Sequence, residues 1–72
     1  MSPEIIMMRI FDRGMYWREK ERKALSAGQK YNATCFADRA TALEQLYDSL
    51  EDEMIQEARQ EARSHGTRNS NN

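Results

Sequence analysis

The chain has 72 residues and a single cysteine, so it forms one small domain at most and cannot contain an internal disulfide. A chain this short buries little apolar surface and gains stability from disulfides, a metal ion or a second copy, and we therefore expect association. The formal net charge of −1 combines +3 in residues 1–33 with −4 in residues 34–72, a division that can hold two antiparallel elements together.

Cysteine usage and hydropathy set the expected compartment. A lone cysteine is typical of a reducing environment, and the position of Cys35 beside Phe36 predicts a small buried hydrophobe rather than a reactive thiol. The apolar run over residues 5–8 is interrupted by Arg9 and follows no basic stretch, so it indicates neither a signal peptide nor a membrane span. We expect a cytoplasmic protein that does not bind a membrane.

The first predicted element is a helix over residues 3–26. Its start combines Ser2, which can cap free backbone N–H groups, with Pro3 at the first helical position and Glu4 at the positive end of the helix dipole. The apolar residues that follow lie nearly all round the helix, so more than one neighbour must cover them. They are Ile5, Ile6, Met7, Met8, Ile10 and Phe11.

A small α+β fold with an N-terminal hairpin is the alternative interpretation of the same residues. It makes residues 4–11 and 15–17 two strands, adds a third strand over residues 31–36, and places a helix capped by Thr41 and Glu44 after them. The helix start signal at the N-terminus and the unbroken helical pattern farther along the chain favour the all-α fold.

Residues 26–33 carry the signals of a helix end followed by a new start. Gly28 can adopt the left-handed conformation that follows a helix C-terminus. Asn32 or Thr34 can then cap the next helix through its side-chain oxygen.

The second helix is predicted over residues 34–64 and carries the clearest pattern in the chain. Six apolar residues at steps of three and four lie on one helix face, while acidic side chains occupy mostly the opposite face. They are Phe36, Ala40, Leu43, Tyr47, Leu50 and Met54. With Gly66 ending the helix, the domain covers residues 1–64, and the polar tail over residues 65–72 is expected to be disordered.

The short turn predicts that the two helices pair as an antiparallel hairpin. With a turn centred near residue 30, Phe11 lies near Leu50, and Arg9 and Arg13 fall beside acids of the second helix. Those acids are Asp48, Glu51 and Asp52. Two hairpins then form a homodimeric four-helix bundle through the surplus apolar surface of the first helix. The expected dimer interface consists of Ile6, Met7, Ile10 and Trp17.

No residue set in the sequence specifies a reaction, a metal site or a cofactor. The only histidine, His65, has Glu61 four residues before it, and one such pair does not make a metal site. The acids of residues 48–53 lack the glycine-containing loop of a calcium site, and there is no glycine-rich phosphate loop or Ser-His-Asp set. We expect neither enzyme activity nor a bound cofactor.

Nucleic-acid binding is the alternative function, because the first helix mixes cationic with aromatic side chains. The cations best suited to contact phosphates are Arg18, Lys20, Arg22 and Lys23. Glu19 and Glu21 interleave with them, and no helix-turn-helix spacing is present, which weakens this interpretation.

Protein binding is the function that the pattern favours, because the chain has more apolar residues than one hairpin can cover. We therefore expect a small regulatory protein that acts, as a homodimer, by binding another protein. Short chains without catalytic sets are typical of the accessory proteins that phages and mobile elements carry. The sequence specifies neither the partner nor the direction of regulation.

Overall fold

The computed structural model describes the backbone of residues 2–70 and the side chains of residues 2–64. Within that part of the chain there are two helices, α1 over Pro3–Ser26 and α2 over Lys30–Ser70, and no strand. The two helices pack against each other as a hairpin, which confirms the predicted all-α fold. The α+β alternative is wrong, because all three of its proposed strands lie inside the helices.

The start of α1 forms as its sequence predicts. Pro3 is the first helical residue, and the Ser2 hydroxyl oxygen accepts a hydrogen bond from the backbone N–H of Ile5 at 3.3 Å. The Ser2 carbonyl accepts a second one from the Ile6 N–H at 3.2 Å. These bonds satisfy donors that a helix N-terminus otherwise leaves without partners.

The turn between the helices is a Schellman motif centred on Gly28. Gly28 has φ +74°, in the left-handed region where a side chain is strained. Its N–H donates to the Leu25 carbonyl at 3.1 Å, and the Gln29 N–H donates to the Ala24 carbonyl at 2.8 Å. The predicted role of Gly28 is confirmed.

The second helix begins earlier than the sequence predicts. The Gln29 carbonyl accepts the first α2 hydrogen bond, from the Ala33 N–H at 3.0 Å, so α2 starts at Lys30. Asn32 and Thr34 therefore lie inside the helix, and the prediction that either caps it is wrong. The last hydrogen bond of the Schellman motif comes from the Gln29 N–H, and Gln29 directly precedes Lys30, so no residues remain for a longer loop.

The far end of α2 also differs from the prediction, since the helix continues to Ser70 instead of ending near Ser64. A glycine inside a helix costs only about 1 kcal/mol relative to alanine, and α2 continues through Gly66 without ending there. The predicted disorder of residues 65–72 concerns a tail of which the structure describes only the backbone of residues 65–70. It stays a prediction.

The apolar stripe of α2 faces α1, as predicted. All six of its members are buried or half-buried, and Ala40 has no exposed surface. The acidic residues of α2 through Glu61 are exposed. The helices meet at small residues, since the other buried residues include Gly14, Ala24 and Ala33. Cys35 is exposed, so the prediction that it is buried is wrong: one residue turns the helix by about 100° away from Phe36.

The register of the hairpin differs from the predicted one. The ring of Phe11 contacts Tyr47, with centroids 5.8 Å apart, instead of lying near Leu50. The turn at Gly28 is shorter and earlier than one centred on residue 30, and this shifts α2 along α1. Among the described side chains, Arg9 and Arg13 form no ion pair with the acids of α2.

The hairpin is long and thin, measuring 66 × 20 × 13 Å. Pro3, at the start of α1, lies in the same groove as Glu57, so α2 beyond this point projects past the end of α1. Neither helix has, over its described residues, the length of apolar sequence that crossing a bilayer requires.

Candidate interaction surfaces

Met7 and Met54 form a seam between the helices and separate two grooves. Met7 is 9% exposed, and both methionines line each of the two grooves. The two grooves share no other residue. Met7, predicted at the dimer interface, is thus covered mainly by its own hairpin.

One side of the seam carries a groove that we call the methionine groove, lined by Met8, Phe11, Met15, Tyr47 and Ile55. Phe11, Met8 and Met15 are 53%, 64% and 58% exposed, respectively, so much of their apolar surface contacts solvent. Methionine side chains are flexible and polarisable, and they adapt to apolar partners of different shape. The surface is therefore suited to binding an apolar helix.

Acidic side chains border the methionine groove. Asp48 lines one part of it, and Glu4 and Glu51 line the other. All three are exposed, and within residues 2–64 none of them forms an ion pair. The groove therefore combines an apolar floor with a negative border. Ile10, also predicted at the dimer interface, is half-buried and lines this groove.

The other side of the seam carries a flatter apolar surface, which we call the leucine face and define as Ile6, Leu46 and Leu50. Ile6 and Leu50 line a groove together with Glu53. Leu46 precedes Leu50 by four residues, so it lies on the same side of α2. Ile6 and Leu46 are 42% and 47% exposed. Of the predicted dimer-interface residues, Ile6 belongs to this face.

Trp17, the fourth predicted interface residue, is half-buried in a cluster of aromatic rings toward the turn. Its ring stacks on Phe36 of α2 with centroids 5.7 Å apart and planes inclined by 25°. The ring of Tyr16 meets Trp17 edge to face at 5.0 Å. Such pairs each contribute about 0.5–1.5 kcal/mol beyond burial, and the pair of Trp17 with Phe36 holds the two helices together near the turn.

Three cations lie over these rings. The guanidinium carbon of Arg39 is 4.6 Å from the Trp17 centroid, and that of Arg13 is 4.5 Å from the Tyr16 centroid. The ammonium of Lys20 is 5.4 Å from the centroid of Tyr16. Among the described side chains these cations have no carboxylate partner. The face of the hairpin near the turn is therefore positive.

Arg18, a predicted phosphate contact, is instead bound to carboxylates of its own chain. Its Nε and Nη2 donate to the two carboxylate oxygens of Glu44 at 2.9 and 2.7 Å, and its Nη1 donates to Glu21 at 2.9 Å. Nη2 also donates to the Thr41 hydroxyl oxygen at 3.3 Å. This bidentate pair joins α1 to α2 and leaves little of the guanidinium for another anion.

The hydrogen bonds between Arg18 and Glu44 shift both pKa values. They lower the pKa of Glu44 below its ordinary value and raise the pKa of Arg18 further above neutrality. Arg22 forms a pair within α1, its Nε donating to Glu19 Oε2 at 2.9 Å, which lowers the pKa of Glu19 and raises that of Arg22. Two of the four predicted phosphate contacts are therefore neutralised within the hairpin.

The other two predicted phosphate contacts, Lys20 and Lys23, line one shallow groove near the turn. Sequence analysis placed Arg13 in the mixed cationic and aromatic set of the first helix but did not identify Arg39. The spacing held a signal for Arg39, because it follows Phe36 by three residues, and that spacing brings side chains together on a helix.

Comparisons with known proteins add no template for these surfaces, since the chain matches no family model, no curated protein and no solved structure. Within the described residues, no group of three or more His, Cys, Asp and Glu side chains is placed to hold a metal ion. His65 lies outside the described side chains. The described residues offer two apolar surfaces and one cluster of rings and cations.

Proposed function

We propose that this chain is a small non-catalytic interaction protein that acts by binding another protein, with a homodimer as its working unit. The observation that supports this most strongly is uncovered apolar surface. Among the described residues, ten large hydrophobic side chains are at least 42% exposed, whereas the buried apolar residues are Met7 and three alanines. Where such residues adjoin, as they do along the methionine groove, exposed apolar surface marks binding sites.

A homodimer suits the geometry because two helices alone enclose little volume. The stripe residues of α2, except Ala40, keep part of their surface exposed although they face α1. Packing one hairpin against another in a four-helix bundle would cover such surface, as in other bundles built from helical hairpins. A cytoplasmic setting goes with the proposal, because Cys35 is a free thiol.

The partner protein is proposed to bind in the methionine groove through an apolar helix flanked by Lys or Arg. The apolar floor provides the area, and the border acids Asp48 and Glu51 favour a basic partner.

Affinity capture with matched variants tests the proposal. The tagged chain is compared with Met15→Glu, which places a charge in the methionine groove, and with Tyr31→Glu, which alters a residue 81% exposed and outside the groove. We expect one protein at near-equal stoichiometry, resistant to nuclease, retained by Tyr31→Glu and lost by Met15→Glu. Capture that Met15→Glu leaves unchanged, or that nuclease abolishes, would contradict the proposal.

Nucleic-acid binding is a second candidate, favoured by the cations over the aromatic cluster. Arg13, Lys20 and Arg39 form a positive surface next to rings on which bases can stack. It has weaker support, because cations of the chain already cover faces of these rings and Arg18 and Arg22 are bound to carboxylates.

Salt dependence distinguishes the second candidate from the first. If the positive surface holds phosphates, affinity for single-stranded DNA falls steeply with salt, and each of Arg13→Ala and Arg39→Ala reduces the slope by about one. Micromolar binding with this behaviour at physiological salt would favour nucleic acid. Binding that is weak and unaffected by both substitutions would leave protein binding as the better account.

A further inference from the structure

The leucine face carries opposite charges at its two ends. Arg39 precedes Leu46 by seven residues and Glu53 follows it by seven, so the three side chains lie along one line on α2. The separation on each side is two turns, or about 10 Å along the helix axis. All three residues are exposed, and Glu53 has no ion-pair partner within residues 2–64.

The neighbouring side chains strengthen this polarity. Near Arg39, Arg13 and Lys20 of α1 lie over rings of the same aromatic cluster, so the end of the face near the turn is positive. Near Glu53, the groove beside Ile6 and Leu50 also contains Glu57, so the open end is negative. The apolar residues of the face lie between the two charged ends.

We propose that the leucine face is the contact surface between two copies of this chain, which pack antiparallel about a two-fold axis passing beside Leu46. This rests on the proposed function, which requires a homodimer, and it adds the surface and the register. A two-fold axis there places Arg39 of each copy opposite Glu53 of the other and stacks the apolar residues across the axis. A parallel arrangement would bring like charges together.

A second copy fits this face better than it fits the methionine groove. The groove is bordered by the acids Glu4, Asp48 and Glu51, so a copy packed groove to groove would bring unpaired carboxylates near each other. The leucine face is self-complementary, because its two ends have opposite charge at equal distance from Leu46. Dimerisation through the leucine face leaves the groove open for a different protein.

Disulfide trapping tests the surface. In a Cys35→Ser background, Leu46→Cys places a thiol beside the proposed axis, and Ile55→Cys is the matched control because the native residues are 47% and 44% exposed on opposite sides of α2. On mild oxidation we expect a covalent dimer from Leu46→Cys and little from Ile55→Cys. Faster trapping through Ile55→Cys would overturn the proposed surface.

Charge exchange tests the register. Glu53→Arg and Arg39→Glu each place like charges together at two symmetric points, and each is expected to weaken dimerisation by about tenfold. The double variant Arg39→Glu with Glu53→Arg restores the pairs and should return the dimerisation constant to near the native value. Additive loss in the double variant would overturn the register. Dichroism at 222 nm confirms that each variant keeps its helices.

Sedimentation equilibrium of the unmodified chain separates the two possible failures. If the chain is a dimer but trapping or charge exchange gives the contrary result, the leucine-face inference is wrong and the proposed homodimer stands. If the chain is a monomer at tens of micromolar, the homodimer in the proposed function is wrong, and the leucine-face inference is then wrong as well.

Discussion

The indole of Trp17 on α1 stacks on the ring of Phe36 on α2 with a centroid separation of 5.7 Å, while the guanidinium of Arg39 lies over the same indole at 4.6 Å. This contact joins the helices close to the turn, where the buried residues are alanines. An aromatic pair thus provides much of the apolar area at that end of the hairpin.

Replacing Trp17 with Ala should therefore lower the free energy of unfolding by about 2–3 kcal/mol, less than for a fully buried tryptophan because this one is half-buried. Tyr31→Ala is the control, since Tyr31 is 81% exposed and should change stability by less than about 0.5 kcal/mol. Urea denaturation followed by dichroism measures both. Equal losses would mean that the stack does not fasten the hairpin.

Enlarging the side chain at Ala40 tests how closely the two helices pack. Ala40 has no exposed surface and lies on the α2 face that meets α1, so Ala40→Leu should overpack the interface and cost about 1–3 kcal/mol. Ala42 is exposed on the same helix, and Ala42→Leu should change the free energy of unfolding by less than about 0.5 kcal/mol. If both leucines are tolerated equally in thermal denaturation, α1 does not pack on Ala40.

The glycines at 14 and 28 should respond in opposite directions to alanine. A Cβ at Gly14 would lie 3.9 Å from the Leu43 Cβ and 4.0 Å from the Glu44 Cγ, which is ordinary contact, so Gly14→Ala should stabilise the helix by about 0.5–1 kcal/mol. Gly28 has φ +74°, and Gly28→Ala should cost about 1–2 kcal/mol. A loss of stability in Gly14→Ala would show that the helices are closer than described.

The pair between Arg18 and Glu44 predicts a pH dependence of stability. Hydrogen bonds from Arg18 lower the pKa of Glu44 in the folded state below its ordinary value of 4.5. The contribution is therefore fully present above that ordinary value and is lost as the pH falls through the lowered pKa. It is small, because solvent reaches both side chains, which are 40% and 48% exposed.

Titration of the Glu44 carboxyl carbon by NMR measures this effect directly. We expect a midpoint below 4.5 in the native chain and a return toward 4.5 in Arg18→Met, which keeps the apolar stem but removes the guanidinium. The acid-induced fall in the free energy of unfolding should become shallower in the same variant. An unchanged midpoint would mean that the pair does not form in solution.

Local signals in the sequence predicted the start of α1, the end of α1 at Gly28 and the buried face of α2. The bonds of Ser2 and Gly28 involve neighbours a few residues away, so their consequences do not depend on tertiary contacts. The spacing from Phe36 to Met54 likewise identifies one face of a helix wherever that helix lies. These features follow from the backbone geometry of a single helix.

The register and the candidate surfaces depend on how the two helices meet, and local patterns do not specify that. The turn is shorter than the sequence predicts, and Tyr47 therefore lies opposite Phe11, where Leu50 was expected. The apolar residues of α1 lie nearly all round the helix, so their pattern could not separate buried Met7 from exposed Ile6. Likewise, the carboxylate of Glu44 on α2 determines that Arg18 is paired across the hairpin.

Sedimentation equilibrium of the native chain at tens of micromolar, at physiological salt, tests most directly whether the uncovered apolar surface is an interaction surface between copies. We predict a single species with twice the mass of the chain, and dissociation when Leu46 is replaced by Glu, because a charge then lies beside the two-fold axis. A chain that remains a monomer over this range and still unfolds cooperatively would contradict the account.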